Sequence, residues 1–256
     1  MRGLTGKRIV IASGATGIGA ATAKRLAEEG ARLVVGDINQ DGLDKTVGEI
    51  NAAGGDASAI PFDLADEGSV NALIEGAAER LGGIDGLANV GAEMTRCIAE
   101  SGKDLMSGDA AHWARTLQVN LTGHALTVMA AIPHMISSGG GAIVSITSAA
   151  AHLGLPDVAA YASSKVGLHA LIRHVAQAWS KENIRCNGIA PGWIMTEVAE
   201  QNLKDEALRA VIENIPLARL GRPADIAAAV AFLLSDEGSW VTGQVWAING
   251  GTAFRD

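Results

Sequence analysis

The sequence predicts an α/β fold, a doubly wound parallel sheet with helices on both faces, in a single domain covering residues 1–256. Three observations predict it. Short apolar runs alternate with longer stretches of helical period along the chain. The runs are apolar at successive positions, as expected of strands covered on both faces. No sequence repeat, low-complexity tract or linker-like stretch interrupts the alternation.

The elements follow in order. Lys7–Ala12 (KRIVIA) is a short buried run and predicts the first strand. Gly17–Gly30 carries Ile18, Ala21 and Leu26 on one stripe and predicts a helix. ARLVVGD (31–37) is the next strand and ends in an acid, and a polar helix follows at 41–53. DASAIPFD (56–63) predicts a strand, 66–82 a helix, and IDGLAN (84–89) a strand. A long helix is expected over 109–137, with Pro133 kinking or breaking it because proline lacks the N–H and crowds the preceding turn. GAIVSITS (141–148) is a strand, 158–182 a helix, and IRCNGIAP (184–191) and QVWAIN (244–249) are the last two strands. Segments 91–108 and 192–215 fall outside the alternation, and long excursions past strand ends are where function concentrates.

Composition narrows the class. Hydrophobic residues make up 48%, enough for a sizeable core. No apolar run reaches the roughly 18 residues of a membrane span, and the start MRGLTGKRIVIASG lacks the parts of a signal peptide. Cys97 and Cys186 are isolated, which disfavours a disulfide framework or zinc site and fits a reducing cytoplasm. The net charge of −8 argues against a nucleic-acid surface. The six histidines show no metal-ligand spacing, and His169 and His174 read as surface or interface residues.

ASGATGIG (12–19) joins the first strand to the first helix. Glycines there let backbone approach a pyrophosphate, and the helix start supplies free N–H groups and positive potential. Asp37 closes the second strand, where a carboxylate can bind the ribose hydroxyls of NAD and repel the 2′-phosphate of NADP. A tight βα turn with a solvated acid is the plainer alternative. YASSK (161–165) places the chain's one tyrosine four residues before a lysine at a helix start, so both lie on one face. The ammonium favours phenolate and lowers the tyrosine pKa. To act as a base near neutrality, that pKa must fall from about 10 to about 7, a change of roughly 4 kcal/mol.

Together these stretches resemble the short-chain dehydrogenase/reductase family in its single-domain, NAD-preferring form, with a Rossmann-type sheet, and the match runs nearly end to end. Tyr161 and Lys165 match its Y-x-x-x-K, Ser148 its catalytic serine and Asn120 in QVNLTG its helix asparagine. Asp63 matches the acid that holds the adenine, Asn89 the end of the fourth strand, and Pro191, Gly192 and Thr196 the P-G-x-x-x-T segment beside the nicotinamide. The resemblance implies cofactor contacts at Ser13, Thr16, Gly17, Ile18, Gly19, Asp37, Ile38, Asp63, Leu64, Asn89, Val90, Gly91, Tyr161, Lys165, Pro191, Gly192, Ile194 and Thr196. It implies hydride transfer between a carbinol or carbonyl carbon and the nicotinamide. Tyr161 would be the base or acid, Lys165 its activator and a holder of the nicotinamide ribose, Ser148 the donor to the substrate oxygen, and Asn120 the anchor of a water linking Lys165 to solvent.

Two departures stand out. Ala12-Ser13 replaces the expected Thr-Gly, with Gly14 in position to take over the unusual backbone angles. NVGA (89–92) replaces N-N-A-G. In the family these stretches touch through the threonine, so the two changes are expected to compensate and leave NAD binding intact.

Substrate identity is expected in 91–108, 192–215 and the loop 149–158. Met94, His152, Leu153, Trp193 and Met195, with Ser148 and Tyr161, suggest a bulky apolar secondary alcohol or ketone, such as a steroid, a terpenoid or another cyclic compound. The helices at 109–137 and 158–182 are apolar around much of their circumference. This points to a second subunit and, with the resemblance, to a homotetramer whose second interface is the C-terminal strand. Two other functions compete. An NADPH-linked 3-ketoacyl-type reductase is disfavoured by Asp37 without an adjacent basic residue. A catalytically silent dinucleotide-binding protein is supported by the altered glycine turn alone.

Overall fold

The computed structural model describes residues 1–93, 105–107, 109–202 and 205–254. Seven strands form one parallel sheet: β1 (Arg8–Ala12), β2 (Arg32–Asp37), β3 (Asp56–Pro61), β4 (Gly86–Asn89), β5 (Gly141–Ile146), β6 (Ile184–Pro191) and β7 (Val245–Ile248). Their order across the sheet is β3-β2-β1-β4-β5-β6-β7. Ala12 pairs with Gly36 on one side and Asn89 on the other, so the order reverses between β1 and β4. In such sheets the crevice beyond the carboxyl ends of the strands at that reversal receives the ligand. Ser13 and Val90 are the first residues past those two ends.

The five central strands β2, β1, β4, β5 and β6 are buried almost throughout, which is why they read as apolar runs, while the edge strands β3 and β7 are partly exposed. Helices α1 (Gly17–Glu28) and α2 (Gln40–Ala52) cover one face together with the later helix Pro223–Leu234, burying Leu26, Leu43, Ile226 and Val230. Helix α3 (Glu67–Leu81) covers the other face. Helix α4 (Ala110–Leu117) leads into α5 (His124–Ser137) and packs against α6 (Ala159–Trp179); α5 and α6 join α3 on that face, with Val70, Leu73, Val128, Met135 and Ile172 in the core. Caps fix the starts: Asn39, Asp66 and Asp109 accept from the backbone of Gly42, Ser69 and His112.

The segment 192–215 carries α7 (Glu197–Asn202) and α8 (Asp205–Glu213). Residues 216–243, to which the periodicity assigns no element, contain α9 (Pro223–Leu234), which packs against α1. The helix expected over 109–137 is interrupted, but not at Pro133. The chain stays helical through Pro133, and the irregularity is a π-helical turn at Gln118–Gly123 that separates α4 from α5. Such single-turn widenings gather at functional sites, and this one carries Asn120. The fifth strand ends at Ile146, so Ser148 stands beyond it, at the start of a short 3₁₀ turn, Ala149–Ala151.

Candidate active site

Tyr161 sits in the first turn of α6 and Lys165 one turn later, on the same face as expected. Lys165 is fully buried, with its Nζ 5.7 Å from the Tyr161 ring centroid. The ammonium donates to the Ile146 carbonyl at the end of β5, at 3.0 Å. Among the described residues no carboxylate pairs with it, and burial pushes its pKa down to about 7. Without a counter-charge the amine therefore shares a proton with water near neutrality. A phenolate on Tyr161 would favour the charged lysine, just as the ammonium favours the phenolate.

Ser148 lies beyond β5, its Oγ accepting from the Ala150 N–H at 3.1 Å, which leaves its hydroxyl proton to donate elsewhere. Asn120 is fully buried in the π turn. Its Oδ1 accepts from the Glu93 backbone N–H at 2.6 Å, and its Nδ2 has no partner among the described residues. The widened turn explains how an asparagine inside a helix reaches the segment after β4. His152 and His169 pack ring against ring, with centroids 4.9 Å apart. His169 is buried, which corrects its reading as a surface or interface residue, while His174 is exposed.

The glycine turn departs from expectation in an informative way. Ser13 itself adopts the left-handed conformation, φ 75°, and Gly14 does not. Gly14 is needed for space instead: a Cβ there would stand 2.2 Å from Val35 Cγ1. Ser13 and Gly14 both donate to the Gly36 carbonyl, at 2.9 and 3.0 Å. A Cβ on Gly91 would stand 2.4 Å from Ser13 Oγ and 2.8 Å from Leu64 Cδ2. The serine side chain therefore occupies room that an alanine at 91 would need, so the two departures are sterically matched.

Asp37 Oδ2 accepts from Ala15 N–H and Oδ1 from Asn39 N–H, both at 2.9 Å, which fixes the carboxylate at the rim with lone pairs left over. Asp63 Oδ1 accepts from Ala65 N–H at 2.8 Å, and Leu64 is buried beside it. Thr16 and Ile38 are exposed, and Gly17, Ile18, Val90, Gly192, Ile194 and Thr196 are half-buried, whereas Gly19 and Pro191 are buried. Asn89 is buried, with its side chain turned to α5: its Oδ1 lies 2.8 Å from Thr127 Oγ1. Leu153 and Met195 are half-buried and Trp193 is half exposed, while Met94 lies outside the described residues.

Glycine-lined backbone, a helix N-terminus, a rim carboxylate and a buried lysine with donors to spare fit a nicotinamide dinucleotide. Residues 12–253 match the family model described as enoyl-(acyl carrier protein) reductase. The chain belongs to the short-chain dehydrogenase/reductase family. It is 38% identical to the cis-4-hydroxycyclohexanecarboxylate dehydrogenase of Sinomonas cyclohexanicum, over 96% of each chain. It is 35% identical to the 3-oxoacyl-(acyl-carrier-protein) reductase of Thermotoga maritima, over 97% of this chain and 98% of the relative. Its fold is similar to that of a 7α-hydroxysteroid dehydrogenase complexed with NADH and 7-oxo glycochenodeoxycholic acid. There the TM-score is 0.91 and the identity 35%, over 97% of this chain and 94% of the other. Membership makes the chain an oxidoreductase of the nicotinamide-dependent kind, and no helix among the described residues is long and apolar enough to cross a membrane.

Two residues at the site escape the sequence analysis. Glu197, at the start of α7, accepts from Gly17 N–H at 3.1 Å, placing a carboxylate at the amino end of α1. His124 follows the π turn directly, fully buried, with its Nε2 2.8 Å from the Gly91 carbonyl.

Proposed function

We propose that this protein is an NAD(H)-dependent dehydrogenase or carbonyl reductase that interconverts a cyclic, largely apolar secondary alcohol and its ketone. The observation that carries the reading is the buried Lys165 beneath the Tyr161 ring, beside a glycine-lined crevice rimmed by Asp37. Bound NAD would supply the hydride acceptor, or in reduced form the donor. Tyr161 takes the alcohol proton during oxidation and returns it during reduction. Lys165 stabilises the phenolate and turns its remaining N–H groups to the nicotinamide ribose. Ser148 donates to the substrate oxygen and fixes its distance from Tyr161. Asn120 Nδ2 offers the donor that holds a water on the path from Lys165 to solvent.

The preference for NAD rests on Asp37, because Ile38, Asn39, Gln40 and Asp41 follow it without a basic side chain to receive a 2′-phosphate. The cyclic substrate is supported by the ring-bearing compounds named for two of the relatives, and by the apolar Leu153, Trp193 and Met195 in the stretches that follow Ser148 and Pro191. The whole chain acts as one catalytic domain, with 91–108 and 192–215 shaping the substrate side. Exposed Met129 and Ile136 on α5 and Val166 on α6 support a homotetramer, which light scattering at micromolar concentration tests directly.

The functional test is an NADH-fluorescence screen over cyclic secondary alcohols and ketones, run in parallel with NADP(H). Turnover of ring alcohols with NAD at least tenfold above NADP is expected. Activity confined to small polar hydroxy acids refutes the substrate class, and NADP preference refutes the role of Asp37.

A further inference from the structure

Gly91 forms part of the crevice wall just past the end of β4, where the sheet no longer supplies hydrogen-bond partners. The preceding residue is tied to β1 by the backbone, Val90 N–H donating to the Ala12 carbonyl at 3.0 Å. Ala12 is fully buried and carries only a methyl group, so β1 gives the stretch no side-chain support. The support comes from the opposite side. Asn120 Oδ1 accepts from Glu93 N–H at 2.6 Å, and Thr127 Oγ1 lies 2.8 Å from Asn89 Oδ1. Between them the His124 ring meets the Gly91 carbonyl at 2.8 Å. One strip of the π turn and α5 therefore grips residues 89, 91 and 93 in turn, skipping the alternate positions of an extended segment.

The chemistry of the His124 contact is fixed by its partner. A carbonyl oxygen only accepts, so Nε2 carries the hydrogen and Nδ1 is a bare lone pair. That Nδ1 is buried with no partner among the described residues. Burial, and next the charge of Lys165, pushes the ring pKa down to about 3, so the imidazole stays neutral and keeps this donor across the working pH range. A buried histidine with one nitrogen unpaired is a costly way to fill space. A leucine would fill the same apolar helix surface at no such cost, so the donor itself is what the position supplies.

We propose that His124 is a positioning residue for the cofactor crevice: it holds the Gly91 carbonyl, and through it the wall formed by residues 89–93, at the spacing that a bound dinucleotide requires. It replaces from α5 the side-chain brace that Ala12 cannot give from β1. The inference rests on the dinucleotide-binding reading above and acts through Gly91, with no contact from His124 to cofactor or substrate.

The test compares His124→Leu with His124→Gln, whose Nε2 can reach the same carbonyl. NADH affinity is read by fluorescence titration, and kcat and KM for NAD are separated by steady-state kinetics. His124→Leu is expected to raise the NADH Kd and the KM for NAD at least tenfold, with kcat at saturating NAD within threefold. His124→Gln is expected to stay within threefold of wild type in every constant. Wild-type affinity in His124→Leu, or equal weakening in both variants, overturns the proposal, because either result shows that the donor is not what matters. If His124→Leu does not fold, His124→Asn, too short to reach Gly91, takes its place with the same expectation. Failure of the unaltered protein to bind NADH at all strikes the functional reading instead, which keeps the two failures apart.

Discussion

Replacing Lys165 by methionine keeps the length of the side chain and removes its charge. The ammonium stands 5.7 Å from the Tyr161 ring centroid. Taken as the charge separation at an effective dielectric of about 20, that distance gives an attraction of about 3 kcal/mol between ammonium and phenolate. This supplies most of the roughly 4 kcal/mol that a phenol needs to work near neutrality, and it corresponds to about two pH units. The pH dependence of kcat/KM for oxidation of a ring alcohol should therefore move upward by about two units in Lys165→Met. Activity at pH 7 should fall about a hundredfold from this effect alone. NADH affinity, titrated separately, reports any loss of ribose contacts. Lys165→Arg keeps a cation and should hold the profile within one unit of wild type. A Lys165→Met enzyme that stays active with its apparent pKa moved by less than half a unit would show that the lysine does not tune the tyrosine.

Four further outcomes test other parts of the site. Gly91→Ala should weaken NADH binding at least fivefold, because its Cβ meets Ser13 Oγ and Leu64, and Ser13→Gly should recover part of the loss in the double variant by removing the tighter of the two contacts; simple additivity contradicts the steric match. By the same account, Ala12→Thr/Ser13→Gly should change NAD affinity by less than tenfold in titration. Asp37→Asn should raise the NADP/NAD ratio of kcat/KM at least tenfold, and an unchanged ratio removes the electrostatic basis of the preference. His124, at about 3 in the fold against 6.5 unfolded, refuses a proton that the unfolded chain accepts. Stability from this group is therefore complete above pH 6.5 and falls towards pH 3 by about 1.4 kcal/mol per pH unit. Urea melts of His124→Gln across pH 4–6 should show a correspondingly shallower slope, and an unchanged slope contradicts the buried neutral ring.

The sheet was legible because strands buried on both faces appear as apolar runs, and the Tyr161–Lys165 pair because four residues make one helical turn. Helix α9 was not, since PADIAAAVAFLL is apolar on nearly every side and shows no stripe to give a period. The π turn is equally hidden: widening one turn changes no residue, so the sequence points to Pro133 as the break instead. The glycine turn misled for a related reason. Left-handed angles usually fall to glycine, but here Ser13 takes the angle, at a cost of about 1–2 kcal/mol for a residue with a Cβ, and Gly14 serves the room beside Val35 instead. His124 gives no sequence signal at all. A lone histidine in an apolar helix means nothing until the carbonyl opposite it is known.

The most direct test of the hydride-transfer account is Tyr161→Phe, assayed for NADH formation from a ring alcohol alongside NADH titration. Removal of the phenolic oxygen is expected to lower kcat by about a hundredfold to ten-thousandfold, the range of general acid–base catalysis, with NADH affinity within threefold of wild type. A variant that retains its rate within a factor of three while binding cofactor normally would place the proton transfer, and with it the active site, somewhere else in the molecule.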